Sequence, residues 1–507
     1  MKDMSIIARK YREALINDPY RPLYHFAIPD GDGNPGDSNG AFYADGRYHL
    51  MYLYRNHDTN GFHWGHISSH DLLHWKHHPD ALTIENGDEG CFSGGGFVDE
   101  DGTAYITFWK FAAKDGSDNG GIDIAYAKPP YDVWERIRPI AINGSEKVWG
   151  TMDIDGEHIS CADPSNIWKQ NGVYYMQTGN LCVLNEYGRK EDSPEKYKGG
   201  WTDLFKSPDL KNWSFVHRFY TVPNPGEDWP DATEDDMCPS FLPLPDKKSG
   251  GQLTDKWLQL FIAHNKGTQY FVGELKDEHF YPQQHGRFSW KDNTYFAPEA
   301  LIDDKNRHIA WCWLLDNMTD DFKTNGWSGV YNFPRLLWYE DGELRTAPAE
   351  ELDQLAYNGQ SFAVGTLNGC APLAVKNGES FRIKAVIDMK DASRAGFAVR
   401  CDDAVGECCE IYVDKDAGKL IFDAARSGKL GRPIREEAPF TLKDGEKLCL
   451  DIFVDKSVVE VYANERQSIC RRVFPTNPQA ALVVKAISDG ADFGTVSVWE
   501  MDATNLY

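Results

Sequence analysis

Carboxylates standing just before short aromatic strands occur three times in the first half of this sequence. They are Asp37 in IPDGDGNPGDSNGAF, Asp163 in ISCADPSNIW, and the run Glu234, Asp235 and Asp236 in DATEDDMCPSFL. Two carboxyl groups about 5 Å apart, one ionised and one protonated, are what hydrolysis of a glycosidic bond with retention demands: a nucleophile and a proton donor to the leaving oxygen. Each segment also has a plainer reading. Asp37 and Asp163 suit turns, the latter directly before Pro164, and a triple acid suits a solvated loop. Adjacent like charges, however, raise one another's pKa, which is the condition a general acid needs at neutral pH.

Two metal readings compete with this one. Asp30, Asp32 and Asn34 have the one-three-five spacing of a calcium loop, but Pro35 stands where the sharp turn needs glycine and Ala41 where a bidentate Glu should close the site. The run His63, His66, His70, His74, His77 and His78 has no Cys or Glu to complete a ligand set and lies among strands and turns. No metal and no cofactor are expected.

The elements that must carry these acids read as antiparallel strands. GAFYADGRYHLMYLYR, GFVDEDGTAYITFWKF and NIWKQNGVYYMQTGN each place Asp-Gly or Asn-Gly where a hairpin turn belongs, and KWLQLFIAH is a further strand. Such units recur from about Tyr24 to Glu350 with almost no helical periodicity, which points to a propeller or a large sandwich. Beyond Ser380 the alternation is cleaner: Leu448, Leu450, Ile452 and Val454 share one face, a turn follows at Asp455 to Ser457, and Val459, Val461 and Ala463 return. That is the pattern of a sandwich. The expected organisation is an N-terminal helical extension over 1–20, a propeller over 21–350, a linker around 345–365 and a sandwich over 365–507.

Composition narrows the partners. The 507 residues carry 53 Lys and Arg against 78 Asp and Glu, a net charge of -25, which disfavours nucleic acid and anionic membranes. The eleven Cys show no regular spacing, so reduced thiols are expected. The opening MKDMSIIARKYREALINDPY has no apolar core of a signal peptide, which leads to the expectation of a cytoplasmic protein.

The three acidic segments, with RPLYHFAIP, HWGHISSHDLLHWKHHPDAL, CFSGGGFVDEDGTAYITF, MCPSFLPL, NTYFAPEALIDDKNRHIAWCWL and LDIFVDKSVVEVYANERQSICRRVFP, resemble glycoside hydrolase family 32, the β-fructofuranosidases, over residues 21 to about 500. The resemblance implies an all-β chain, a five-bladed β-propeller followed by a C-terminal β-sandwich. It also implies a retaining hydrolase of sucrose or fructo-oligosaccharide. Asp37 matches the family nucleophile, its Asn-Asp-Pro-Asn-Gly motif reading Gly36-Asp37-Ser38-Asn39-Gly40 here, and Asp163 matches the transition-state stabiliser of the Arg-Asp-Pro block. Asn39, Trp64, Phe92, Ser93, Phe296 and Trp313, with Trp311 beside the last, match positions lining the sugar pocket.

The family's acid/base Glu is replaced by Met237. A thioether donates no proton, so the resemblance leaves the role to the 234–236 run: Glu234 is preferred for its reach, then Asp235, which shares a strand face with Met237. Gly36, Ala162 and Leu53 replace three polar residues of the first subsite, which leaves open a furanosidase of other specificity. Met237 leaves open a non-catalytic carbohydrate-binding protein.

Overall fold

The computed structural model describes residues 2–85, 90–112, 119–144, 148–222, 229–315 and 327–505. Hairpins form where the turn chemistry predicts them. Asp45 and Gly46 both have positive φ between Ser38–Ala44 and Arg47–Arg55, as do Asn171 and Gly172 between Trp168–Gln170 and Val173–Gly179. Two successive left-handed residues give the turn whose twist matches that of the strands it joins.

These hairpins build, in chain order, five antiparallel sheets of four to six strands, with a separate two-stranded sheet, Thr151–Ile154 and Glu157–Ser160, between the second and third. Their innermost strands begin at Ser38, Gly96, Ala162, Met237 and Tyr295, and each sheet meets the next near these strands, the second reaching the third through Ala104–Lys110, until the fifth returns to the first. The ring is a five-bladed propeller. Glu299, on the innermost strand of the fifth blade, locks its centre: one carboxyl oxygen accepts the N–H of Ala41 in the first blade at 2.9 Å and of Gly96 in the second at 3.3 Å.

Three inner strands share a kink. Asp163, Cys238 and Ala297 each hold positive φ, of 43°, 47° and 44°, and strand register slips around the first two. A left-handed non-glycine residue in a strand costs energy and survives only where its surroundings hold it, so these bulges mark where the fold turns side chains out of the sheets.

The chain divides into two compact units: Asp32–Trp313 with Leu336–Leu344, and Met1–Gly31 with Leu314–Arg335 and Arg345–Tyr507. The second holds two six-stranded antiparallel sheets, a sandwich. Leu448, Leu450, Ile452 and Val454 are all buried there, on the face that period two assigned them.

Three expectations need correction. The first 31 residues group with the sandwich unit, because Asp455, at the turn predicted between two sandwich strands, accepts the N–H groups of Leu23, Tyr24 and His25. The segment read as a linker carries structure: strand Glu343–Pro348, a 3-10 turn Glu350–Leu355 that buries Leu352 and Leu355, and strand Ala356–Ala363. Cys401 and Cys408 form a disulfide rather than thiols, since the hairpin of Arg394–Asp402 and Glu407–Asp414 brings them across from one another. The other nine form no disulfide.

Candidate active site

Asp37 ends the loop that enters the first blade, its carbonyl accepting the N–H of Leu53 at 2.9 Å. Its side chain is buried, and Ser93 of the second blade donates to Oδ2 at 2.5 Å. Burial pushes the Asp37 carboxyl up to about 6, against the Ser93 hydrogen bond and the positive charge of His264, which both favour the carboxylate. Asp163 is likewise buried and stands at about 7; burial raises it first, the charge of His264 lowers it and that of Asp37 raises it further. The Cys238 thiol donates to Asp163 Oδ2 at 3.4 Å and also meets Ser93, so a short polar chain links the two aspartates. The structure therefore gathers Asp37, Ser93, Asp163 and Cys238 from four blades.

The acids of the third segment separate. Glu234 is clamped by Arg287, whose Nη1 and Nη2 lie 3.2 and 3.1 Å from its two oxygens, while Gln269 donates at 2.6 Å. Both carboxyl oxygens of Glu234 are thus engaged by Arg287 and Gln269, an arrangement that does not favour it as the proton donor. Asp236 takes the Tyr220 hydroxyl at 2.6 Å and lies against Gly200, where a Cβ would sit 2.5 Å from its Oδ1. Burial pushes Asp236 well above the usual carboxylate range, but no bond or charge links it to Asp37 or Asp163. Asp235 alone connects to the aspartate pair, through His264: its Oδ2 is 2.7 Å from His264 Nδ1.

Met237 lies in an apolar cluster with Trp109, Ala162, Cys182 and the partly buried Phe92 and Phe296. Its sulfur also accepts the N–H of Leu181 at 3.2 Å. Phe92 and Phe296 thus remain as partly exposed walls, and Trp313 sits edge-on behind Phe296 with centroids 6.1 Å apart. Trp64 does not line a pocket. It is 0% exposed in the first-blade core beneath Gly40, packing against Met51 and Ile106 there. Asn39 is equally enclosed; its amide donates to the Asp37 carbonyl and accepts the Gly94 N–H, which makes it a brace for the Asp37 loop.

His264 was missed by the sequence reading. Met237 pairs with Ile262 in register, and just beyond the end of this ladder the Asp235 side chain accepts the His264 backbone N–H. The strand KWLQLFIAH, which ends in this histidine, was legible, but the pairing that gives the histidine meaning was not. Of the earlier histidine run, His66 and His78 gather with His49. His49 Nδ1 and His66 Nε2 hydrogen-bond to each other at 2.9 Å, and His78 is held between Ser68 and Asp132. Among the described residues no helix is long and apolar enough to cross a membrane.

Comparison with known proteins places this geometry. Residues 25–348 match the N-terminal domain of glycosyl hydrolases family 32 and residues 349–500 its C-terminal domain. A sucrose-6-phosphate hydrolase of Zymomonas mobilis is 26% identical over 98% of this chain and 95% of its own length. A levanase of Bacillus subtilis is 24% identical over 98% of this chain and 72% of its own. Among solved structures, fructan 1-exohydrolase IIa from Cichorium intybus superposes with a TM-score of 0.79 at 19% identity, covering 96% of this chain and 98% of that one, a likeness of fold. The chain belongs to glycosyl hydrolases family 32.

Proposed function

We propose that this protein is a retaining β-fructofuranosidase that releases terminal fructose from sucrose or fructo-oligosaccharides, with Asp37 as nucleophile and Asp163 steadying the charge of the transition state. The observation that carries the reading is the pair of buried aspartates on separate blades, joined through Ser93 and Cys238. Asp37, at about 6, is mostly ionised at pH 7 and can attack the anomeric carbon. Asp163, at about 7, sits where a developing positive charge on the sugar would draw it to its ionised form. Phe92 and Phe296 offer aromatic faces to sugar C–H groups. The relatives named sucrose-6-phosphate hydrolase and levanase support fructosides as the substrate class.

A furanosidase of other specificity is the second reading. Leu53 lies in the core of the first blade and Ala162 in the apolar cluster around Met237, so two positions that are polar in the family offer the sugar no hydrogen bond here. Sucrose, inulin, levan and aryl arabinofuranosides assayed with the wild type and Asp37→Asn decide. The expected result is fructose release with retained configuration, reduced at least about 10⁴-fold in the variant. Turnover of arabinofuranosides alone would select the second reading, and an Asp37→Asn variant as active as wild type would remove the nucleophile assignment.

A further inference from the structure

A family 32 site without its glutamic acid has a nucleophile and no evident group to protonate the leaving oxygen. Met237 occupies that position, and Glu234 and Asp236 are spent on Arg287 and Tyr220. We propose that His264, held by Asp235, is the acid/base of this enzyme, an imidazolium standing in for the displaced carboxylic acid. The inference rests on the hydrolase reading above.

Four observations carry it. Just beyond the end of the ladder that pairs Met237 with Ile262, the Asp235 side chain meets His264, so the histidine stands two residues past the strand partner of the vacated position. Asp235 fixes the ring twice, accepting the His264 backbone N–H at 3.2 Å and standing 2.7 Å from Nδ1. With Nδ1 committed, Nε2 is the end left for substrate, and no described residue hydrogen-bonds to it. The ring is 45% exposed, open to a ligand, and packs edge-on to Phe296, centroids 5.6 Å apart. Phe296 in turn packs on the Met237 cluster, so the imidazole lies beside the place where the family carries its acid.

The charges facing the ring are consistent with this task. Partial burial works against the imidazolium, but the hydrogen bond and charge of Asp235, then the charges of Asp163 and Asp37, hold its pKa above the ordinary histidine value. Arg189 approaches the far oxygen of Asp235 at 3.8 Å. His264 is also the charge that draws on both Asp37 and Asp163, so proton donor, nucleophile and stabiliser share one field.

In the first step the Asp37 carboxylate bonds to the anomeric carbon while the glycosidic C–O bond breaks, and Nε2–H passes its proton to the departing oxygen, which leaves as an alcohol. In the second, neutral Nε2 takes a proton from water as the water oxygen attacks the anomeric carbon. Fructose leaves, the Asp37 carboxylate is restored, and the imidazolium is re-formed.

The test compares sucrose with a nitrophenyl β-D-fructofuranoside, whose leaving group departs without a proton. In His264→Ala, kcat/KM for sucrose should fall by about 10² to 10⁴ while that for the aryl substrate stays within about tenfold. Nitrophenol should appear in a burst followed by a slow phase that azide accelerates, giving fructosyl azide. Asp235→Asn, a positioning change, should move the basic limb of the sucrose kcat/KM profile to lower pH, because the imidazolium loses its counter-charge. Equal losses on both substrates, or no loss, would overturn the assignment; so would an unmoved basic limb in Asp235→Asn. Absence of any furanoside turnover by the wild type would instead remove the hydrolase reading and this inference with it.

Discussion

Asp37 and Asp163 are buried where their ionised forms are poorly solvated, and both functional and stability consequences follow. For Asp37, at about 6, attack needs the carboxylate, so the acid limb of kcat/KM should fall about tenfold per pH unit below pH 6. A profile still flat at pH 4.5 would contradict that burial. For Asp163 the folded value of about 7 exceeds the ordinary 3.8, so the folded state holds its proton more tightly than the unfolded chain. Stability from this group is complete below about pH 4 and is lost as pH rises through about 7. The shift of roughly three units corresponds to at most about 4 kcal/mol. Asp163→Asn cannot ionise, so its stability relative to wild type should rise between pH 4.5 and pH 8 by up to that amount. Denaturant unfolding at both pH values measures it, and a difference independent of pH would show that the carboxyl ionises freely.

At the scale of strands, Glu299 is a polar group that ties three blades together. Its carboxyl is pushed well above the usual range by burial, and one of its oxygens accepts two backbone N–H groups in other blades. Glu299→Gln keeps an acceptor oxygen of the same reach and should cost less than about 1 kcal/mol. Glu299→Ala orphans two buried donors and should cost about 2 to 4 kcal/mol, read from the melting of the propeller unit. Equal costs would mean that the carboxyl supplies only bulk. The same scale explains what the sequence made legible. Turn pairs such as Asp45-Gly46 and the period-two face from Leu448 to Val454 encode their own structure within a few residues. The active-site acids do not. Glu234 lost its expected role to Arg287, 53 residues further on, and His264 gained one only through the register of a hairpin whose strands slip past one another at bulges. Local chemistry writes turns and faces; long-range pairing decides which acid remains free.

On the scale of the molecule, each compact unit carries a buried ionic feature of opposite acid response. In the propeller, burial raises Asp37, Asp163 and Asp203, all of which favour the protonated side. In the unit that contains the sandwich, Glu460 is buried against His25, Arg335 and Tyr462. Burial alone would raise it, but the hydrogen bond of His25 and the charge of Arg335 hold it down to about 2. A depressed carboxyl contributes stability that is present above its ordinary value of 4.5 and is lost as pH falls through about 2. The shift is worth about 3 kcal/mol, and the carboxylate that Arg335 meets at 3.0 Å would lose its charge as well. Glu460→Gln should therefore lower the melting temperature of this unit strongly at pH 7 and less at pH 3, where the unfolded wild-type chain takes up the proton and the advantage of the ionised carboxyl shrinks. Calorimetry of both proteins at pH 7 and pH 3 separates the cases: a deficit that narrows in acid follows from an ionised Glu460, whereas one of constant size would make the residue a packing element whose charge contributes nothing.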